Sequence, residues 1–230
     1  MEQLDYVLKL ANMTTTASPR HLCTPVSLYC MYLEDIKTRI NRINKIVVVG
    51  HSPMKNEPWD VEVTFLFLRK CLEQMAFSWL IANKEAYSAA HADFATNWKI
   101  KTLLKRIEAL NPDFYPKPVI FPEQADANGI KHLADVPDGF LTRDELEILY
   151  DLCSEVLHTW NPYRAGPWQL DTEKPIAEWV QRLQRLLNHH YIRLLDGTVW
   201  VIQMVHPVDG KVHAFPAASV PEEKVREPTV

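Results

Sequence analysis

Glycine and paired cysteines are both scarce in this chain. Only 6 of its 230 residues are glycine, and no GxGxxG, P-loop, GxSxG or HExxH pattern occurs in it. The usual signatures of nucleotide binding, serine hydrolases and zinc proteases are therefore missing. The four cysteines, Cys23, Cys30, Cys71 and Cys153, include no CxxC pair, so we predict buried reduced thiols rather than a zinc site. We expect no cofactor and no bound metal.

Long apolar segments and an excess of basic charge are also absent. Dense apolar runs such as Ile46–Val49 are far too short to cross a bilayer, so we expect no membrane partner. The formal net charge is −4 and the pI is about 6.1, which argues against a protein that coats nucleic acids but leaves room for a local basic patch. The opening residues, MEQLDYVLKL, lack the basic and apolar regions of a signal peptide. We therefore expect a cytoplasmic protein.

The most distinctive stretch that is present runs from Trp59 to about Ala90 and contains neither glycine nor proline. At helical spacing its apolar residues occupy nearly every side, which is typical of a helix in the core of a protein or in a membrane. A charged group in the middle of the stretch, Arg69, Lys70 and Glu73, argues against the membrane. We therefore predict one long central helix in a mainly α-helical domain.

Other segments complete the predicted fold. Helical periodicity predicts helices that start at Ser27, Lys99, Thr142 and Pro175, the third with a capping box formed by Thr142 and Glu145. Five prolines predict a long irregular segment at residues 111–141. Two Asp-Gly turns then predict a small C-terminal antiparallel β-meander. The predicted organisation is an N-terminal connector (1–26), a helical domain (27–193), a β-hairpin appendage (194–216) and a flexible tail (217–230).

Titratable residues near two predicted helix ends are the candidate functional groups. His158 falls in the last turn before Asn161-Pro162, where a histidine commonly interacts with the helix dipole and less commonly acts in catalysis. Arg182, Arg185 and His189 share the outer face of the last predicted helix, which extends from Pro175 to His190. Such a row is compatible with phosphate binding or with an ordinary solvated face. His190 projects onto the buried face and is predicted to be a core histidine.

Two stretches, FLRKCLEQMAFSWLIANKEAY and LTRDELEILYDLCSEVLHTWNPY, resemble the HEPN superfamily of small helical domains, over about residues 27–190. The resemblance implies a homodimer, and active members of the superfamily are metal-independent RNases that serve as toxins or phage-defence effectors. It also implies that His158 is the motif histidine. The arginine that normally precedes this histidine is missing, because residues 151–153 are Asp, Leu and Cys. An alternative fit places Arg182 before His189 and Arg185 before His190.

The resemblance leaves two hypotheses of different classes. In the first, the chain is an RNase in which His158 takes the proton of a 2′-hydroxyl while Arg182 or Arg185 stabilises the charged phosphorane, with RNA as the substrate. In the second, the chain is a catalytically inert HEPN-like module that binds a partner or nucleotide, or only dimerises. The missing motif arginine favours the second hypothesis, as do Asp151 and Glu155 beside His158, which would repel an RNA backbone. The row of Arg182, Arg185 and His189 keeps the first hypothesis open.

Overall fold

The computed structural model describes residues 6–7, 24–49, 58–93, 96, 99–122, 131–159, 163 and 171–219. About 57% of these described residues are helical, so the prediction of a mainly α-helical protein with a C-terminal antiparallel meander is confirmed. None of the described helices is long and apolar enough to cross a membrane. In chain order the elements are β1 (Tyr6–Val7), α1 (Pro25–Val49), α2 (Pro58–Ala82), α3 (Lys84–Ala90), α4 (Ile100–Leu110), β2 (Lys117–Ile120), β3 (Ala134–Asp135), α5 (Arg143–Leu157), α6 (Ile176–Leu187), β4 (His189–Arg193), β5 (Val199–Gln203) and β6 (His213–Ser219).

The strands form one antiparallel sheet in the order β1-β6-β5-β4-β2-β3. Strands β4, β5 and β6 are the predicted meander, in which Gly197 and Gly210 adopt φ values of 83° and 68° in the two connecting turns. This left-handed backbone region favours glycine, which explains why both turns carry an Asp-Gly pair. The sheet is wider than predicted, because residues 111–141 also contribute β2 and β3.

Helices and sheet share a single main core. Helix α2 packs against α1, α4 and α5, while α6 packs against α1, β2 and β4. The helix-facing side chains of the sheet, such as Ile192, Trp200 and Ile202, belong to the same buried cluster as the helices. The strands predicted as an appendage are thus part of the main core. The opposite face of the sheet holds a second buried cluster that includes Tyr191 and Val201.

The predicted helix from Trp59 to Ala90 is interrupted at Asn83, so the prediction of one uninterrupted helix is wrong. The buried side chain of Asn83 donates a hydrogen bond from Nδ2 to the Trp79 carbonyl over 2.9 Å, and its Oδ1 accepts one from Asn111 Nδ2 over 3.0 Å. Asparagine side chains that bond nearby backbone compete with helical hydrogen bonds. Helix α2 therefore ends at Ala82, and α3 begins at Lys84.

The predicted connector and the predicted tail lie at the two ends of the chain. Of the predicted connector 1–26, the structure describes residues 6–7 as β1 and residues 24–26 at the start of α1. Of the predicted tail 217–230, residues 217–219 belong to β6, and the remainder lies outside the described residues.

Candidate functional site

His158 lies at the carboxyl end of α5, where it is the exposed residue that caps the helix. Its amide donates a hydrogen bond to the Glu155 carbonyl over 3.3 Å. On the same helix, Asp151 is held by Lys101 at 2.6 Å. The histidine is thus open to solvent, at the end of the helix where backbone carbonyls give a partial negative charge.

Arg182 lies at the opposite end of α5 from His158. Its guanidinium donates to Glu178 on its own helix over 3.0 Å and to Glu145 over 3.1 Å, and the hydrogen bond to Glu178 raises the pKa of Arg182. Glu145 is in the first turn of α5, where it completes the predicted capping box with Thr142. Since a helix rises about 1.5 Å per residue, His158 is about 20 Å further along α5. The predicted base and cation therefore do not share a cleft within one protomer.

The remaining two predicted residues, Arg185 and His189, contact other parts of the chain. Arg185 is exposed and packs over Gly139, so closely that a Cβ added to that glycine would come within 3.2 Å of Nη1. His189 is not helical, because α6 ends at Leu187 and β4 begins at His189. The prediction that His189 shares a helical face with Arg182 and Arg185 is therefore wrong.

The imidazole of His189 instead lies beside the ring of Phe121, with a centroid separation of 5.4 Å. Burial of this half-buried ring lowers the pKa of His189. A lower pKa favours the neutral imidazole, which weakens His189 as a source of positive charge.

His190 is fully buried, as its predicted position on the core-facing side requires. Its Nδ1 lies 3.0 Å from the Leu187 carbonyl and its Nε2 lies 3.1 Å from the Tyr29 hydroxyl. A carbonyl can only accept, so Nδ1 carries the proton and Nε2 accepts from the tyrosine. Burial lowers the pKa of His190 to about 4 and raises that of Tyr29 above its ordinary range. Both groups are therefore neutral, and they join α1 to the α6–β4 junction.

A shallow groove between α4 and α5 is lined mainly by charged side chains, including Lys105 and Asp144. Arg143 reaches across it to Glu108 at 3.4 Å and also pairs with Glu147 at 2.9 Å. The Arg143–Glu108 pair joins α5 to α4 across the groove, whereas the Arg143–Glu147 pair lies within α5. The charges of the groove thus serve to hold α4 against α5.

Sequence reasoning missed a cluster at the turn between β5 and β6. Within the described part of the chain, His206, Asp209 and His213 form the one group of three potential metal ligands, with all ligand atoms within 4.8 Å of one another. Asp209 Oδ2 lies 3.1 Å from His213 Nε2, and Asp209 Oδ1 lies 3.8 Å from His206 Nδ1. The two imidazoles are stacked with a centroid separation of 4.1 Å. The signal was present as HPVDGKVH, in which two histidines flank an Asp-Gly turn.

Comparison with known proteins leaves the family open. No family model matches this chain, and neither the curated proteins nor the solved structures contain a significant match. The HEPN-like resemblance therefore stays a prediction.

Proposed function

We propose that this chain is a non-catalytic HEPN-like helical module, built around α2, that acts by binding a second copy of itself. The observation that carries the proposal is an exposed apolar row on α2, formed by Trp59, Val63 and Leu66. Their exposed fractions are 69%, 37% and 42%. Spacings of four and three residues place all three side chains on one face of the helix. We call this set the α2 row.

The other side of the same helix is buried in the core. Phe65, Leu68 and Leu72 have no exposed surface, so α2 is apolar both toward the core and toward solvent. Burial of apolar surface stabilises a protein by about 25 cal/mol per Å². The exposed row does not gain this stabilisation in the monomer. Contiguous apolar patches commonly mark interaction sites, and tryptophan is enriched among the residues that dominate binding energies. These properties favour the α2 row as an interface.

A second copy fits the row because the row is self-complementary. In a symmetric dimer the same patch meets itself. If two α2 helices cross antiparallel at Val63, the large Trp59 of one protomer lies over the smaller Leu66 of its partner. Three side chains cover less surface than the roughly 800 Å² per partner of a standard interface. The expected dimer is therefore weak, and its population depends on concentration.

The positions of the predicted catalytic residues support binding rather than catalysis. RNA cleavage of the predicted kind needs a base and a cation near the same phosphate. Arg182 is paired with two glutamates about 20 Å along α5 from His158. The RNase remains a second candidate for one reason: His158 and Arg185 are both exposed, which leaves them accessible to a neighbouring protomer.

Sedimentation equilibrium at several protein concentrations tests the proposed interface. We expect the wild type to shift from monomer to dimer as its concentration rises. Trp59→Glu places a charge within the apolar contact, opposite Leu66 of the partner subunit, and should keep the chain monomeric. Ile120→Glu is the matched control, since Ile120 is 57% exposed but lies on β2. Equal association of all three proteins would refute the α2 row as the interface.

An RNA-cleavage assay separates the two candidate functions. We expect purified wild type, at concentrations where it is dimeric, to leave RNA intact in the absence of divalent metal. RNA cleavage that His158→Ala abolishes, in a variant that still dimerises, would establish the RNase instead. Arg185→Ala would then identify the cation, since Arg185 is exposed whereas Arg182 is engaged by glutamates.

A further inference from the structure

We propose that the turn between β5 and β6 binds a single Zn²⁺ through His206, Asp209 and His213. The three groups belong to one short hairpin. His206 lies on its first side, Asp209 follows at the tip, and His213 begins β6, opposite Gln203 of β5. The side chains of His206 and His213 are 24% and 28% exposed, and that of Asp209 is 37% exposed. An ion from solvent can therefore reach all three.

The separations between the donor atoms suit a tetrahedral zinc site. Zinc lies about 2.0–2.1 Å from histidine nitrogens and 2.0–2.2 Å from carboxylate oxygens, which places neighbouring ligand atoms about 3.3 Å apart in a tetrahedron. Asp209 lies 3.1 Å from His213 Nε2 and 3.8 Å from His206 Nδ1. The spacing between Asp209 and each histidine is thus close to that of a tetrahedral site. The stacked rings differ in orientation by only 21°, so one imidazole must turn until both ring planes contain the ion.

The hydrogen bonds of His206 give an independent reason to place a cation here. The Val208 amide donates to His206 Nδ1 over 3.4 Å, so this nitrogen presents a lone pair. The same nitrogen faces a carboxylate oxygen of Asp209 at 3.8 Å. Two atoms that carry lone pairs thus face each other in this arrangement. A metal ion between them would bind the lone pair of Nδ1 in place of the long hydrogen bond that the Val208 amide donates, together with a second lone pair of Oδ1, which already accepts from the Lys211 amide.

The turn itself is held in place before any ion binds. Within it, the His206 amide donates to the Lys211 carbonyl over 2.8 Å, and the Gly210 amide donates to the His206 carbonyl over 2.8 Å. The Lys211 amide donates to Asp209 Oδ1 over 2.9 Å. Together with the left-handed φ of Gly210, these bonds fix the relative positions of the ligands and reduce the ordering that binding requires.

Helix α1 anchors the same turn from outside. Glu34 accepts a hydrogen bond from the Val212 amide over 2.6 Å, and Lys37 donates to the Gly210 carbonyl over 2.7 Å. Glu34 and Lys37 also pair with each other at 2.8 Å. Their charges therefore offset one another, and the carboxylate of Asp209 remains available to neutralise part of the metal's charge.

The chemistry of the three ligands selects the ion. Two imidazoles and one carboxylate suit Zn²⁺ and neighbouring transition metals, whereas Ca²⁺ and Mg²⁺ prefer sites made of oxygen ligands. Three protein ligands leave the fourth position of a tetrahedron to water or another small ligand. The proposal is independent of the proposed dimer, since the turn and the α2 row belong to different elements.

Isothermal titration of the untagged, chelator-treated full chain with Zn²⁺ tests the site. We expect a single ion per chain for the wild type and for His91→Ala, which removes an imidazole elsewhere that packs on Tyr87. His206→Ala and His213→Ala should each weaken binding by at least about 10-fold, the lower range for losing even an outer-shell partner. Asp209→Asn should also weaken it, while its amide oxygen can still accept from Lys211 and preserve the turn.

Two further readouts keep the test decisive if an alanine variant folds poorly. Zn²⁺, but not Mg²⁺, should raise the melting temperature of the wild type, and the rise should be smaller for Asp209→Asn. Co²⁺ in place of Zn²⁺ should give the visible absorption of a tetrahedral ion. The proposal is overturned if the wild type binds no Zn²⁺, or if Asp209→Asn and the two histidine variants bind it as tightly as His91→Ala.

Discussion

The buried histidine His190 makes the fold sensitive to acid. Its pKa is lowered to about 4 by burial, whereas an unfolded chain has a histidine pKa of about 6.5. Between these two pH values the unfolded state binds a proton that the folded state does not. Stability is therefore fully present above about pH 6.5 and is lost as the pH falls toward 4.

The magnitude follows from the size of the pKa difference. Each pKa unit corresponds to about 1.4 kcal/mol, so His190 removes about 2 kcal/mol of unfolding free energy at pH 5 and about 3 kcal/mol near pH 4. The structural cause is that protonated Nε2 would face the Tyr29 hydroxyl, which donates to it in the neutral state. Protonation would thus place a positive charge in a site that has no solvent exposure.

Urea denaturation followed by circular dichroism at pH 7 and pH 5 measures this contribution. His190→Gln is the matched variant, because its amide cannot titrate yet can donate to the Leu187 carbonyl and accept from Tyr29. We expect the wild type to lose about 2 kcal/mol more than His190→Gln between the two pH values. If both proteins lose the same amount, His190 does not titrate as a buried neutral group and the reasoning fails.

Two further predictions concern helix α5. Thr142→Ala removes the side chain that accepts from the Glu145 amide and should cost about 1 kcal/mol of unfolding free energy, whereas Thr142→Ser should cost much less; equal effects would show that the hydroxyl is not the cap. Leu149→Ala should cost about 2–5 kcal/mol of unfolding free energy, because Leu149 is completely buried. Ile148→Ala, at a neighbouring site that is 39% exposed, should cost only about 0.5 kcal/mol. Denaturation curves of the two variants measure this difference.

Features set by neighbouring residues could be predicted from the sequence. The capping box of α5 needs only a threonine and a glutamate three residues apart, and both of its hydrogen bonds form, at 3.3 and 3.1 Å. The turns of the meander need only Asp-Gly between apolar strands, and Gly197 and Gly210 adopt the expected left-handed backbone. In each case the interacting groups lie within a few residues of one another.

Features that depend on distant partners could not be predicted in the same way. The break at Asn83 involves Asn111, which is 28 residues later in the chain. Strand β2 forms because Lys117 and Pro118 pair with Tyr191 and His190 of β4, although proline is typical of irregular segments. Helical periodicity likewise continues to His190, because no local sequence pattern shows that strand β4 begins at His189.

The geometry of the candidate sites also depends on distant partners and could not be predicted from the sequence. His158 was placed correctly at a helix end, but its distance from Arg182 depends on how α6 packs against the start of α5. The convergence of His206 and His213 depends on the hairpin register, which places His213 opposite Gln203. A sequence search for histidines that flank an Asp-Gly turn would have found the pattern, though not its geometry.

A disulfide cross-link through Val63→Cys tests directly whether the α2 row pairs with itself. In the antiparallel crossing this residue meets its own copy, so mild oxidation should give a covalent dimer on a non-reducing gel. Ile120→Cys controls for random collisions and for the native cysteines, because Ile120 is exposed on β2. Rapid cross-linking of Val63→Cys alone is the predicted result. Cross-linking no faster than that of Ile120→Cys would show that the α2 row does not pair with itself.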